Sequence, residues 1–147
     1  MTESPAKKES PLEVLRPLLA RYGATCSLED FQDSINRIFH DIESEVYDEI
    51  HQDMWGSLPR QFALLSDDVL HGMRPGALRM LDIGSGTGLS SELLLNTPLG
   101  SRVEELHLLD TSSKMLERAK NRLQSRRMTL HATNGLTHDL PASGQFD

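Results

Sequence analysis

Three things are scarce in this chain. Basic residues number 15 against 22 acidic ones, leaving a net charge of −7, so no global positive field attracts nucleic acid or an anionic membrane. The one cysteine, Cys26, rules out an intramolecular disulfide and makes a reducing, cytoplasmic setting the expectation. With no histidine or other base near it in sequence, Cys26 reads as a small buried residue. Long apolar runs are also missing, so no stretch reaches the length needed to cross a bilayer. Met1 to Ser10 mixes Pro5 with charges of both signs and has no apolar signal core. What remains is 147 residues, 37% hydrophobic and 25% charged, enough for one domain with its own core.

The most informative stretch is Met80-Leu-Asp-Ile-Gly-Ser-Gly-Thr-Gly-Leu-Ser90. An apolar run meets glycines at alternate positions, and an amphipathic segment follows at once. That order predicts a strand, a tight turn and a helix, as in nucleotide-type binding loops. Glycine suits such a turn because the backbone angles oppose a side chain and a ligand must approach bare main chain. Asp82 puts a carboxylate at the mouth of the turn. Beyond it, Val103 to Asp110 reads as a second buried strand, Ser112 to Ser125 as a helix, and Met128 to Ala132 as a third strand. Strand–helix–strand–helix–strand alternation from Leu78 onward predicts an α/β fold with parallel pairing and right-handed crossovers.

The first half of the chain is helical in pattern. Leu12, Leu15, Leu18 and Leu19 share a face in a helix that Pro17 should kink and Gly23 should end. Ser27-Leu-Glu-Asp30 approximates a capping box. Behind it Phe31, Ile35, Ile38, Phe39, Ile42, Val46, Ile50 and Met54 form one apolar stripe, predicting a helix from about Leu28 to Gln52. A further helix is expected from Arg60 to His71, with Phe62, Leu65, Val69 and Leu70 inward. His40, Tyr47 and His51 lie among carboxylates on the long helix. The i, i+4 histidine pair of a helical metal site is absent, so no metal is expected there and the face reads as solvated. The basic run Lys114, Arg118, Lys120, Arg122, Arg126 and Arg127 lacks interleaved aromatics, and reads as a solvated helix face rather than an RNA surface.

Two cofactor classes use such a glycine turn. A dinucleotide fingerprint spaces its glycines G-x-G-x-x-G, whereas here Gly84, Gly86 and Gly88 give G-x-G-x-G. A carboxylate at Asp82 opposes a phosphate at the helix start and suits an ammonium group instead. Asp110, ending the second strand, is positioned to accept hydrogen bonds from ribose hydroxyls, while Thr111, Ser112 and Ser113 also make it a competitor for a helix N-cap. A nicotinamide-dependent oxidoreductase fragment and a non-catalytic cofactor- or protein-binding module are the alternatives.

Met80–Ser90 together with Leu106–Lys120 (LHLLDTSSKMLERAK) resembles the first and second cofactor motifs of class I S-adenosylmethionine-dependent methyltransferases. The resemblance covers about residues 78 to 147. It implies a partial Rossmann-like sheet of three strands, with Gly84, Ser85, Gly86 and Gly88 lining S-adenosyl-L-methionine. It further implies that Asp82 lies near the amino group, Asp110 on the ribose, and Thr111 and Met115 near the adenine. The family's next motif resembles G-D-A-x-D-L-P, matched here by Gly135-Leu-Thr-His-Asp-Leu-Pro141; Leu136 takes the acid's position and Thr137 offers backbone contacts. The helical segment resembles a cap over the cofactor, with Tyr47 near the sulfonium.

The implied organisation is a tail over 1–10, a helical cap over 11–73 and a partial cofactor-binding domain over 74–147. The implied activity is in-line transfer of a methyl group to a small molecule, with no catalytic base identifiable. The resemblance also implies a truncated chain whose first strand lacks its fourth-strand neighbour and self-associates through that open edge.

Overall fold

The computed structural model describes residues 16–21, 26–140 and 146–147. The expected tail at 1–10 and the residues Leu12, Leu15 and Gly23 lie outside them. The chain divides into two compact units, residues 1–36 and 37–147.

In the first unit α1 (Arg16–Arg21) holds Pro17 in its first turn, where a missing N–H goes unnoticed. Cys26 is exposed, contrary to its reading as a buried residue. It precedes the helix start, on a bend with no packing partner required. Helix α2 (Leu28–Glu43) begins where the capping pattern put it: the Ser27 hydroxyl accepts from the Asp30 N–H at 3.0 Å. The Asp30 carboxylate returns to the Ser27 hydroxyl at 2.6 Å rather than to its backbone.

The long helix expected to reach Gln52 is broken. It stops at Glu43, and two short helices follow, α3 (Tyr47–Ile50) and α4 (Gln52–Trp55). At the break the Ser44 hydroxyl donates to the Asp41 carbonyl at 2.8 Å, and the Val46 N–H reaches Glu43 at 3.0 Å. A hydroxyl offering the backbone an alternative to the next helical turn ends the helix, despite unbroken apolar spacing. The stripe itself stays largely open: Ile38, Phe39, Ile42 and Ile50 are each more than half exposed.

Helix α5 (Leu58–Gly72) precedes the sheet. Val69 and Leu70 pack inward as expected, whereas Leu65 is half exposed. Strands β1 (Leu78–Ile83), β2 (Val103–Asp110) and β3 (Thr129–Asn134) run parallel in the order β1-β2-β3. Helix α6 (Leu89–Leu95) links the first pair and α7 (Ser113–Leu123) the second.

Strand alternation then decides the face of each side chain beyond the register shift that follows Leu78 and Val103. Leu78, Met80, Leu106, Leu108, Leu130 and Ala132 meet Val69 and Leu70 of α5, Leu94 and Leu95 of α6, and Leu116, Ala119 and Leu123 of α7 in one core. Arg79, Glu105, His107 and His131 point to the opposite face. The Asp147 N–H meets the Arg79 carbonyl on the outer edge of β1 at 3.1 Å, and its carboxylate accepts from the Arg79 N–H at 2.8 Å.

Candidate cofactor site

The glycine loop is built at the carboxyl ends of β1 and β2, where ligands of open parallel sheets bind. Gly84, Gly86 and Gly88 all take positive φ, at 68°, 52° and 76°. The N–H groups of Gly84 and Ser85 both reach the Leu109 carbonyl, at 2.8 and 3.0 Å, which anchors the turn to the neighbouring strand. The reasons for glycine then diverge. A Cβ on Gly84 or Gly86 would meet nothing within 4 Å. On Gly88 it would lie 2.9 Å from the Ala119 Cβ. Gly88 thus lets α6 approach α7, while Gly84 and Gly86 border open space.

Asp110 locks this loop. One carboxylate oxygen accepts from the Gly86 N–H at 2.9 Å and the other from the Ser112 N–H at 2.8 Å. A carboxylate has about four acceptor sites, so two remain for hydroxyls. The helix N-cap is Ser112, not Asp110: the Ser112 hydroxyl accepts from the Met115 N–H at 3.1 Å.

Asp82 faces the helix side of β1 and accepts from the Ser91 hydroxyl at 2.5 Å. Burial raises its pKa above the usual carboxylate range, the nearby Asp110 charge adds to that, and the Ser91 bond opposes both. Ser85 is buried, and its hydroxyl oxygen has no partner among the described residues. Such an orphaned group beside the bare backbone of Gly84 and Gly86 fits a polar ligand.

The remaining expected residues are spread around this centre. Met115 is buried, outside the main cluster. The Thr111 carbonyl accepts from the Asn134 amide at 2.9 Å. Thr137 begins a short 3₁₀ turn, and the Asp139 carboxylate accepts from the Leu136 N–H at 2.8 Å. A carboxylate thus reaches the backbone of the position where the expected acid is missing.

The Tyr47 ring packs at a tilt of 58° against His51, 4.4 Å between centroids, and lies 6.1 Å from the Trp55 ring. Burial raises the Tyr47 pKa, helped by the charges of Glu43, Asp48 and Asp110.

Several contributors were read from sequence only as a solvated face. The Asp41 carboxylate accepts from the Ser112 hydroxyl at 2.6 Å and the Lys114 N–H at 3.3 Å, which holds the α2 end to the α7 start. These bonds lower the Asp41 pKa, the Ser112 bond foremost. Asp48 accepts from the Thr87 hydroxyl at 2.7 Å and pairs with Arg122. Arg122 also bonds Glu92 at 2.9 Å and the Thr87 carbonyl at 3.0 Å. No local sequence signal marks these contacts, because the partners lie far apart along the chain.

Residues 80–147 match the family described as a methyltransferase domain. This stretch resembles the class I S-adenosylmethionine-dependent methyltransferases, and S-adenosylmethionine is the cofactor consistent with that likeness.

Among solved structures, the chain is similar to S-adenosylmethionine-bound CalS10, an amino pentose methyltransferase from Micromonospora echinaspora. The identity is 28% and the TM-score 0.50, over 69% of this chain and 39% of that one. Streptomyces venezuelae DesVI shares the fold at 24% identity and TM-score 0.50, over 71% of this chain and 40% of that one. Haemonchus contortus phosphoethanolamine N-methyltransferase 1 shares it at 16% identity and TM-score 0.51, over 77% and 23%. The chain therefore spans about two fifths or less of each of these structures. No curated protein matches the sequence.

Proposed function

We propose that this chain is the S-adenosylmethionine-holding portion of a methyltransferase that acts on a small molecule. The observation that carries the reading is the loop itself. Asp110 clamps the Gly86 N–H, Gly84 and Gly86 leave open space, and the buried Ser85 hydroxyl lacks a partner. When bound, the cofactor supplies a methyl group already activated by a sulfonium charge.

The chain's own residues bind and orient. Asp110 keeps two acceptor sites for ribose hydroxyls, and Asp82, when ionised, attracts an ammonium group. Met115, Thr111 and the 135–139 turn border the adenine end, and Tyr47 with its neighbouring rings covers the sulfonium end. Alignment of this kind accounts for a large part of the rate of a bimolecular displacement. The small-molecule assignment rests on the acidic face of α2 to α4, on the net charge, and on likeness to an amino pentose methyltransferase.

Calorimetric titration of S-adenosylmethionine, its demethylated product and NAD into wild type and Asp110→Ala tests the reading. Binding of the first two to wild type, weakened about ten- to hundredfold in Asp110→Ala, is expected for loss of charge-assisted hydrogen bonds. A response to NAD alone would transfer the chain to the oxidoreductases, and no response from a folded chain would make it a non-catalytic module. Tight binding of a labelled RNA at physiological salt would overturn the small-molecule assignment.

A further inference from the structure

On the sheet face opposite the helices, three side chains with metal-ligating atoms converge. His107 on β2 and His131 on β3 are direct partners in the parallel register, and Glu105 lies two residues before His107 on the same face. Their rings stack at 4.2 Å with 18° between planes. Both Nε2 atoms address one carboxylate oxygen, Glu105 Oε1, at 2.7 Å from His107 and 3.2 Å from His131. One ligand atom from each residue falls within 4.8 Å of the others.

We propose that Glu105, His107 and His131 form a binding site for a borderline divalent transition-metal ion of the zinc, cobalt or nickel class. The donor set selects that class: two imidazoles and one carboxylate suit zinc-like ions, whereas calcium and magnesium take oxygen ligands. Ligand atoms about 2.1 Å from a tetrahedral ion stand roughly 3.4 Å apart, so the His131–Glu105 spacing of 3.2 Å is already close and the His107–Glu105 spacing of 2.7 Å opens by about 0.7 Å on binding.

The outer contacts are in place as well. Arg79 donates to Glu105 Oε2 at 2.8 Å and more weakly to Oε1 at 3.5 Å, which orients the carboxylate with Oε1 toward the histidines. The Phe146 ring packs edge-on against His107 at 4.9 Å and fixes its orientation. The exposed side of His131 leaves an entry path and a coordination position for water.

The site is three residues back from Asp110 along β2, about 10 Å at the rise of a strand. It is thus a clip between β2 and β3 rather than part of the cofactor pocket. A one-residue slip of β3 would carry His131 to the other face, so a bound ion holds the register of the strands that carry Asp110 and Asn134.

The test is titration of zinc into the metal-free full chain, followed by calorimetry and by the thermal unfolding midpoint, with cobalt as a visible-absorption probe. The expected result is one ion per chain, a raised midpoint and a cobalt band of tetrahedral intensity. His131→Gln should weaken binding by more than the roughly 10- to 100-fold lost with an outer-sphere partner. Its exposed side chain makes the substitution tolerable, and Glu105→Gln, nearly the same in shape, serves as a second variant should His131→Gln fail to fold. Absence of binding tighter than millimolar in wild type overturns the proposal. So does unchanged affinity in a folded variant, which assigns the ion to Cys26 or to the His40–Glu43–His51 group instead.

Discussion

Gly86→Ala and Gly88→Ala separate two roles that the glycine pattern superimposes. Both residues have positive φ, so an alanine at either pays backbone strain of about 1–2 kcal/mol. Only at Gly88 does the new methyl collide, 2.9 Å from the Ala119 Cβ and 3.0 Å from its Cα. Overpacking of that kind costs a further 1–3 kcal/mol or so. Gly88→Ala should therefore lose about 2–5 kcal/mol, a large share of the roughly 5–15 kcal/mol of a whole domain. Urea unfolding followed by circular dichroism measures both losses. Ala119→Gly alone should cost about 1 kcal/mol as a helix substitution, yet in combination with Gly88→Ala it should recover at least about 1 kcal/mol. Cofactor titration reverses the order: Gly86→Ala impairs binding, and Gly88→Ala, once folded, does not. Equal destabilisation by the two alanines, with strictly additive behaviour toward Ala119→Gly, would refute the packing role assigned to Gly88.

Arg122→Ala removes the hub joining Asp48, Glu92 and the Thr87 carbonyl; partly exposed as it is, the loss should be about 1–2 kcal/mol, with faster hydrogen exchange in α3 than in β2. Ser112→Ala deletes the N-cap of α7 and the hydroxyl that meets Asp41, and should lower stability by about 1–2 kcal/mol in denaturant unfolding. Asp82 has a raised pKa when folded, so its contribution to stability is fully present below the unfolded value of 3.8 and is lost as pH rises through the folded one. Asp82→Asn should remove that part of the pH dependence while weakening cofactor binding at neutral pH about tenfold or more. An unchanged pH profile measured by chemical unfolding would rule out the burial argument.

Much of the fold is written locally. The apolar cluster of Leu106, Leu108 and Leu109 marked β2 over Val103–Asp110, because a short buried strand shows in a window of a few residues. The same is true of the Ser27–Asp30 helix start. The α2 break at Ser44 was harder to see, since a hydroxyl bonding the Asp41 carbonyl competes with an apolar pattern that continues undisturbed. Leu65 shows the complementary limit: periodicity says that a face is apolar, and packing alone says whether anything covers it.

By itself the sequence determined the glycine turn, the order of strands and helices, and the acid at the end of β2, for each depends on residues within a few positions of one another. The tertiary structure decided what those residues touch. It made Gly88 a packing residue through Ala119, gave Asp41 and Asp48 to the α7 helix and the glycine loop, and set His107 beside His131. Those meetings follow from parallel register and from the crossovers that return the chain to the sheet. No spacing along the chain encodes them, because the partners are brought together only when the whole sheet closes on its core.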